Sequence, residues 1–109
     1  MTHKMRLVDF AFNEIKSGRK DIEVRLNDKK RQLIKIGDII EFSHIETGEI
    51  LRVRVINLYK YDTFKKLFDN FDNKRLGLKD SDTFDIMNQF YTKEEQDMYG
   101  ALGIEIKLL

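Results

Sequence analysis

The sequence predicts a single α+β domain in which five strands form a small curled sheet or barrel. Short runs of alternating apolar and polar residues carry the first half of this expectation. They are KMRLV (4–8), DIEVRL (21–26), DIIEF (38–42) with ILRVRVINLY (50–59), and GIEIKLL (103–109). Period-two alternation marks a strand with one buried face. Between them lie segments with apolar residues three and four apart, the spacing of a half-buried helix. The length is the third observation: 109 residues bury one core and leave no room for a second domain. Strands with helices inserted irregularly between them read as α+β. Five short strands suit a curled sheet better than a flat one with a bare face.

Each element follows from local chemistry. After the first strand, Asp9 is placed to cap a helix over 10–17, with Ala11, Phe12 and Ile15 on its inner face and Gly18 as its stop. DIEVRL follows, then Asn27-Asp28 breaks the strand. KKRQLIKIGD (29–38) reads as a helical turn and a loop ending at Gly37-Asp38. A two-residue turn at Thr47-Gly48 would set Phe42 opposite Val53, Ile40 opposite Val55, Glu41 opposite Arg54 and Ser43 opposite Arg52. Apolar residues then face apolar and polar face polar, as a hairpin with one buried face requires. Phe64, Leu67, Phe68 and Phe71 form a helical stripe behind a cap at Asp62 or Thr63. NKRLGLKDSD (73–82) is a polar loop, and Thr83, Ile86, Met87 and Phe90 resume helical spacing. Thr92 and Glu95 stand as a capping box for a last helix that stops near Gly100.

Composition excludes several classes. There is no cysteine, hence no disulfide and no thiolate metal site, and proline is absent, so turns rest on Gly, Asn, Asp and Ser. His3 and His44 lack a clustered third ligand, so no metal is expected. No apolar run reaches transmembrane length and the first residues lack a signal-like stretch; a soluble, cytoplasmic protein with no membrane partner is the expectation. The net charge of +1 does not by itself draw in nucleic acid. Its distribution is uneven: residues 1–60 carry 13 basic and 9 acidic side chains, residues 61–109 carry 7 and 10. An RNA partner would therefore meet the first half.

The stretch SGRKDIEVRL (17–26) stands out. Ile22, Val24 and Leu26 point into the core by alternation, so Glu23 and Arg25 project together from the other face. Their bases lie about 7 Å apart, close enough for an ion pair. On open surface such a pair contributes roughly 0–1 kcal/mol and means little. In a cleft, with Lys20 beside it, the carboxylate becomes a relay or an orienting group, and Arg25 a bidentate phosphate reader. Spacing alone leaves both readings open. The same holds for Lys29-Lys30-Arg31, a solvated turn or a phosphate patch, and for Arg52 and Arg54, a basic face or the partners of Ser43 and Glu41. Tyr59, Tyr61, Tyr91 and Tyr99 are core or, at a cleft rim, stacking surfaces for bases.

The run Gly18-Arg19-Lys20-Asp21-Ile22-Glu23-Val24-Arg25 resembles the G-x-K-x-x-E-x-R signature of the ASCH domain, a PUA-like family, in its small bacterial form. NDKKRQLIKIGDIIEF, YKYDTFKKLF and YTKEEQDMYGALGIEIKLL resemble the same family in the same order, so the likeness spans nearly the whole chain. It implies one PUA-like domain over 1–109, a small mixed β-barrel with helices around a cleft. It implies an RNA- or nucleotide-binding module in RNA-linked regulation, without a cofactor. Lys20, Glu23 and Arg25 would line the cleft with Arg19 adjoining. One branch of small ASCH proteins hydrolyses N4-acetylcytidine with a lysine, a threonine and a glutamate. Lys20 matches that lysine, Glu23 stands at the threonine position, and the glutamate would fall near Lys79-Asp80-Ser81-Asp82. A small amidohydrolase using Lys20 and Glu23 is therefore the first alternative. A protein-interaction module using the acidic helical half is the second.

Overall fold

The computed structural model describes residues 1–109. Five strands and three helices follow in the expected order: β1 (Thr2–Leu7), α1 (Asp9–Lys16), β2 (Ile22–Leu26), β3 (Ile39–His44), β4 (Ile50–Tyr61), α2 (Phe64–Asp69), α3 (Lys93–Tyr99) and β5 (Ala101–Leu108). Short 3-10 turns cover Arg31–Leu33 and Phe84–Gln89. The second had been expected as a regular helix.

The strands form one sheet in the order β1-β3-β4-β5-β2. β1 runs parallel to β3, and every other pair is antiparallel. The sheet curls into a half-barrel whose two edges are β1 and β2. β4 bends midway, where its register against β5 shifts between Val55 and Asn57 and leaves Ile56 as the extra residue of a bulge. Val53 and Val55 before the bend join a core with Phe12, Ile15, Ile40, Phe42 and Ile104. Tyr59 and Tyr61 after it pack on a second core of Ile22, Leu26, Phe64, Leu67, Leu76 and Met87.

Helix ends follow the capping chemistry. Thr63 accepts from the Lys66 amide, and Thr92 and Glu95 close the reciprocal box at α3. At α1 the expectation fails. Val8 holds the extended N-cap position without a side-chain cap, and Asp9 opens the helix proper. Its carboxylate takes His44 Nε2 at 2.8 Å and Asn13 Nδ2 at 3.1 Å instead of a backbone amide.

The β3–β4 hairpin also differs. Ile40 pairs with Val53, Phe42 with Leu51, Glu41 with Arg52 and Ser43 with Ile50, two residues away from the register of a two-residue turn. The cause is His44, which is buried. Its Nδ1 accepts the amides of Glu46 (3.0 Å) and Thr47 (3.1 Å), and its backbone closes a wider loop through Glu49 O and the Gly48 amide. A shift of two preserves the faces, because side chains alternate with period two. The core residues stay inside and Arg52 and Arg54 stay out.

Candidate functional site

The site grows from the end of α1. Gly18 stops the helix with a positive φ of 84°, and the Lys20 amide returns to Glu14 O at 3.0 Å. The chain then enters β2 under the loop formed by Asp72 to Leu78. Arg75 O accepts the amides of both Asp21 and Ile22 at 3.0 Å. Its guanidinium grips the Asp21 carboxylate through two bonds of 2.9 and 3.1 Å. That loop roofs Lys20, whose ammonium donates to Leu76 O at 2.8 Å. Gly77 lies against the Lys20 stem, and a Cβ there would come within 2.4 Å of Lys20 Cδ.

Lys20, Glu23 and Arg25 meet in one chain of charges. Lys20 Nζ lies 3.0 Å from Glu23 Oε1, and Arg25 Nε donates to Glu23 Oε2 at 2.7 Å. Arg25 then donates through its other arm to Arg6 O at 3.0 Å, tying edge strand β2 to edge strand β1. The open-surface reading of this face is excluded: Lys20 is 6% exposed and Glu23 4%. Burial by itself would raise the Glu23 carboxyl, but the Lys20 and Arg25 charges outweigh it and hold the group down at about 2. Burial likewise disfavours the charged Arg25, and Glu23 reverses this and raises it.

All three residues line a cleft of about 580 Å³. That volume falls within the range of small-molecule sites. Its lining includes the apolar Val8, Phe10, Ile45, Leu78 and Phe90 with Tyr91, and the charged Lys79 and Asp82. Phe10, Ile45 and Phe90 are exposed. The lining holds four cationic side chains against two carboxylates.

Other residues singled out in the sequence lie elsewhere. Arg19 does not join the cluster: it is exposed, with its guanidinium on Glu14. It follows the helix stop, so it points back along α1 and not into the cleft. Arg31 pairs with Asp28 outside the cleft. His3 contacts Asp38 and His44 contacts Asp9, both structural roles. No group of three or more His, Asp or Glu is arranged to hold a metal. Of the four tyrosines only Tyr91 lines the cleft; Tyr59 donates to Glu105 at 2.7 Å and Tyr61 packs on Phe71. The cleft contains no serine, threonine or cysteine, and its one glutamate is Glu23. The residues that sequence reading missed are Arg75, Leu76, Gly77 and Phe90. The glycine inside NKRLGLKDSD was the one signal of a close approach, and nothing local showed what approached it.

No helix is long and apolar enough to cross a membrane. Known structures share this architecture. The chain is similar over its full length to the hypothetical protein PH0355, seen in a crystal structure, with 33% identity, a TM-score of 0.86 and 100% of both chains covered. It is similar to PF0455 of Pyrococcus furiosus, solved by NMR, with 32% identity, a TM-score of 0.74, and 100% of this chain and 98% of that one covered. A mutant of the ASCH protein of Zymomonas mobilis shares the fold at 12% identity and a TM-score of 0.64, over 97% of this chain and 67% of that one. No curated protein matches. Residues 5–109 match the ASCH domain, and the protein belongs to the ASCH family.

Proposed function

We infer that the cleft binds one nucleotide unit, carried on RNA or free. The observation that supports this best is the Lys20–Glu23–Arg25 chain, with Lys20 and Glu23 buried, in a cleft lined mainly by apolar residues. Burying two charges with a third half-buried beside them is costly, and apolar residues of similar volume often give equal or greater stability. A ligand gives the arrangement a use. Glu23 orients Arg25 through Nε, and two of the three Lys20 hydrogens are already committed, so the remaining donors have fixed directions. Such donors suit a phosphate oxygen or a carbonyl on a base edge. Phe10, Phe90 and Tyr91 offer flat apolar faces for the base itself.

The hydrolase alternative fits less well. A carboxylate held at about 2 by two cations accepts a proton poorly at neutral pH, so Glu23 is a weak general base. The cleft also lacks a serine or threonine nucleophile. The second alternative, a protein-interaction module on the acidic half, rests on charge alone.

A thermal-shift screen of nucleosides, nucleotides and short RNAs tests the reading. Nucleotides or RNA should raise the midpoint of the wild type, and Arg25→Ala should abolish the shift. A midpoint unmoved by every compound removes the proposal. Turnover of acetylated cytidine that disappears on Lys20→Ala would replace it with the hydrolase.

A further inference from the structure

The outer face of the sheet carries an uneven charge that the cleft does not explain. Strand alternation turns Met5, Leu7, Ile40, Phe42, Val53, Val55 and Ile106 inward, and the residues between them outward. The observed register sets the outward residues in rows. Thr2, Ile39, Arg54 and Lys107 lie side by side across four strands. Lys4, Glu41 and Arg52 form the next row, then Arg6, Ser43 and Ile50. Lys4, Arg6, Arg52, Arg54 and Lys107 are all exposed, against two carboxylates: Glu41, and Glu105 one outward position along β5 from Lys107, half-buried and engaged by Tyr59 and Arg75. Glu41 is 3.9 Å from Arg52 and offsets little of that field. Lys4 and Lys107 have no carboxylate partner. The β4–β5 register sets Arg54 beside Lys107, so that positive groups adjoin across strands.

This face borders the cleft. Arg6 belongs to both, since it lines the cleft, its carbonyl accepts from Arg25, and it ends the third row. Rows lie two residues apart along the strands, about 7 Å, and neighbouring strands about 4.8 Å apart. A chain of phosphates leaving the cleft past Arg6 would meet cations at each step. We propose that the sheet face of Lys4, Arg52, Arg54 and Lys107 is the track for the sugar–phosphate backbone of an RNA strand whose one nucleotide occupies the cleft.

This rests on the nucleotide-binding reading of the cleft and adds that the ligand is a polymer. Charge complementarity selects the occupant: a sheet face with five cations and two acids suits a polyanion, and phosphate neutralisation dominates the affinity of such contacts. Backbone contacts of this kind carry no sequence preference and position the strand for the cleft to read.

The test compares the four ribonucleoside monophosphates with the matching short homopolymer RNAs. The triple variant Lys4→Gln/Arg52→Gln/Lys107→Gln changes exposed side chains outside the cleft, so folding and the cleft stay intact. Wild type should bind at least one homopolymer more tightly than its monomer. The variant should lose about tenfold or more in RNA affinity and about 0.7 of log–log salt slope per phosphate contact removed, with monomer affinity unchanged. Equal affinity of wild type for polymer and monomer overturns the track and leaves the cleft reading standing. So does RNA binding unaffected by the triple variant but abolished by Arg25→Ala. The same substitutions weakening attachment to anionic lipid vesicles, with RNA binding untouched, also overturn it. If no monomer and no RNA binds, both readings fall together.

Discussion

The Lys20 stem passes directly beneath Gly77, so closely that a side chain on Gly77 would have to occupy the space of Lys20 Cδ. Residues 20 and 77 thus define each other, and the roof over the buried charges depends on a backbone without a Cβ.

Gly77→Ala therefore tests the roof. The position has a φ of 72°, which L-residues adopt at a cost, and the new methyl would displace Lys20. We expect a loss of about 1–3 kcal/mol in urea denaturation, as for an overpacked site. Any ligand-induced thermal shift should fall with it. A variant as stable as wild type would show that the loop moves aside freely.

Glu23→Gln should be among the most destabilising single changes. It leaves the buried Lys20 and the half-buried Arg25 without a counter-charge, and breaking such a buried pair costs about 3–5 kcal/mol. Lys20→Met/Glu23→Gln, which removes two of the charges together, should recover part of that loss. A double variant no more stable than Glu23→Gln alone would count against charge imbalance as the cause.

The pH dependence has a definite sign. The Glu23 carboxyl lies at about 2 in the folded protein, below its ordinary value of 4.5. The unfolded chain therefore binds its proton first as pH falls. The stabilisation is complete above pH 4.5 and declines toward pH 2. Carboxyl-carbon NMR is the direct check: a Glu23 resonance titrating near 4.5 contradicts the buried ion chain.

Arg25→Lys should behave almost as Arg25→Ala in ligand binding. An ammonium cannot hold Glu23 through one arm and Arg6 O through another in the same plane. Titration calorimetry with the best nucleotide from the screen would separate the two cases, and full affinity in the lysine variant would argue for simple charge.

His44→Phe keeps the bulk of a buried ring that packs edge-on against Phe12, but removes the acceptor for two loop amides. The expected loss is about 1–3 kcal/mol for the unsatisfied donors. Hydrogen exchange should quicken at Glu46 and Thr47. Unchanged protection there would mean that the hairpin register does not depend on the imidazole.

The order of strands and helices was legible in the sequence because alternation and helical spacing are local. So were the Gly18 stop and the Thr92–Glu95 box, which need only neighbours within a turn. The pairing of Glu23 with Arg25 followed from two residues sharing a strand face. Whether that pair was surface decoration or a buried site was a tertiary matter. Its cover comes from Leu76, 56 residues beyond the Lys20 that it binds, and its bridge from Arg6 on the opposite sheet edge. The hairpin register was likewise decided at a distance. His44 is held by Asp9, 35 residues earlier, and organises the loop in place of the tight turn that the local pattern favoured. Periodicity reports which face a residue occupies. Burial of charge depends on what folds over that face, and the roof is written in a separate part of the chain.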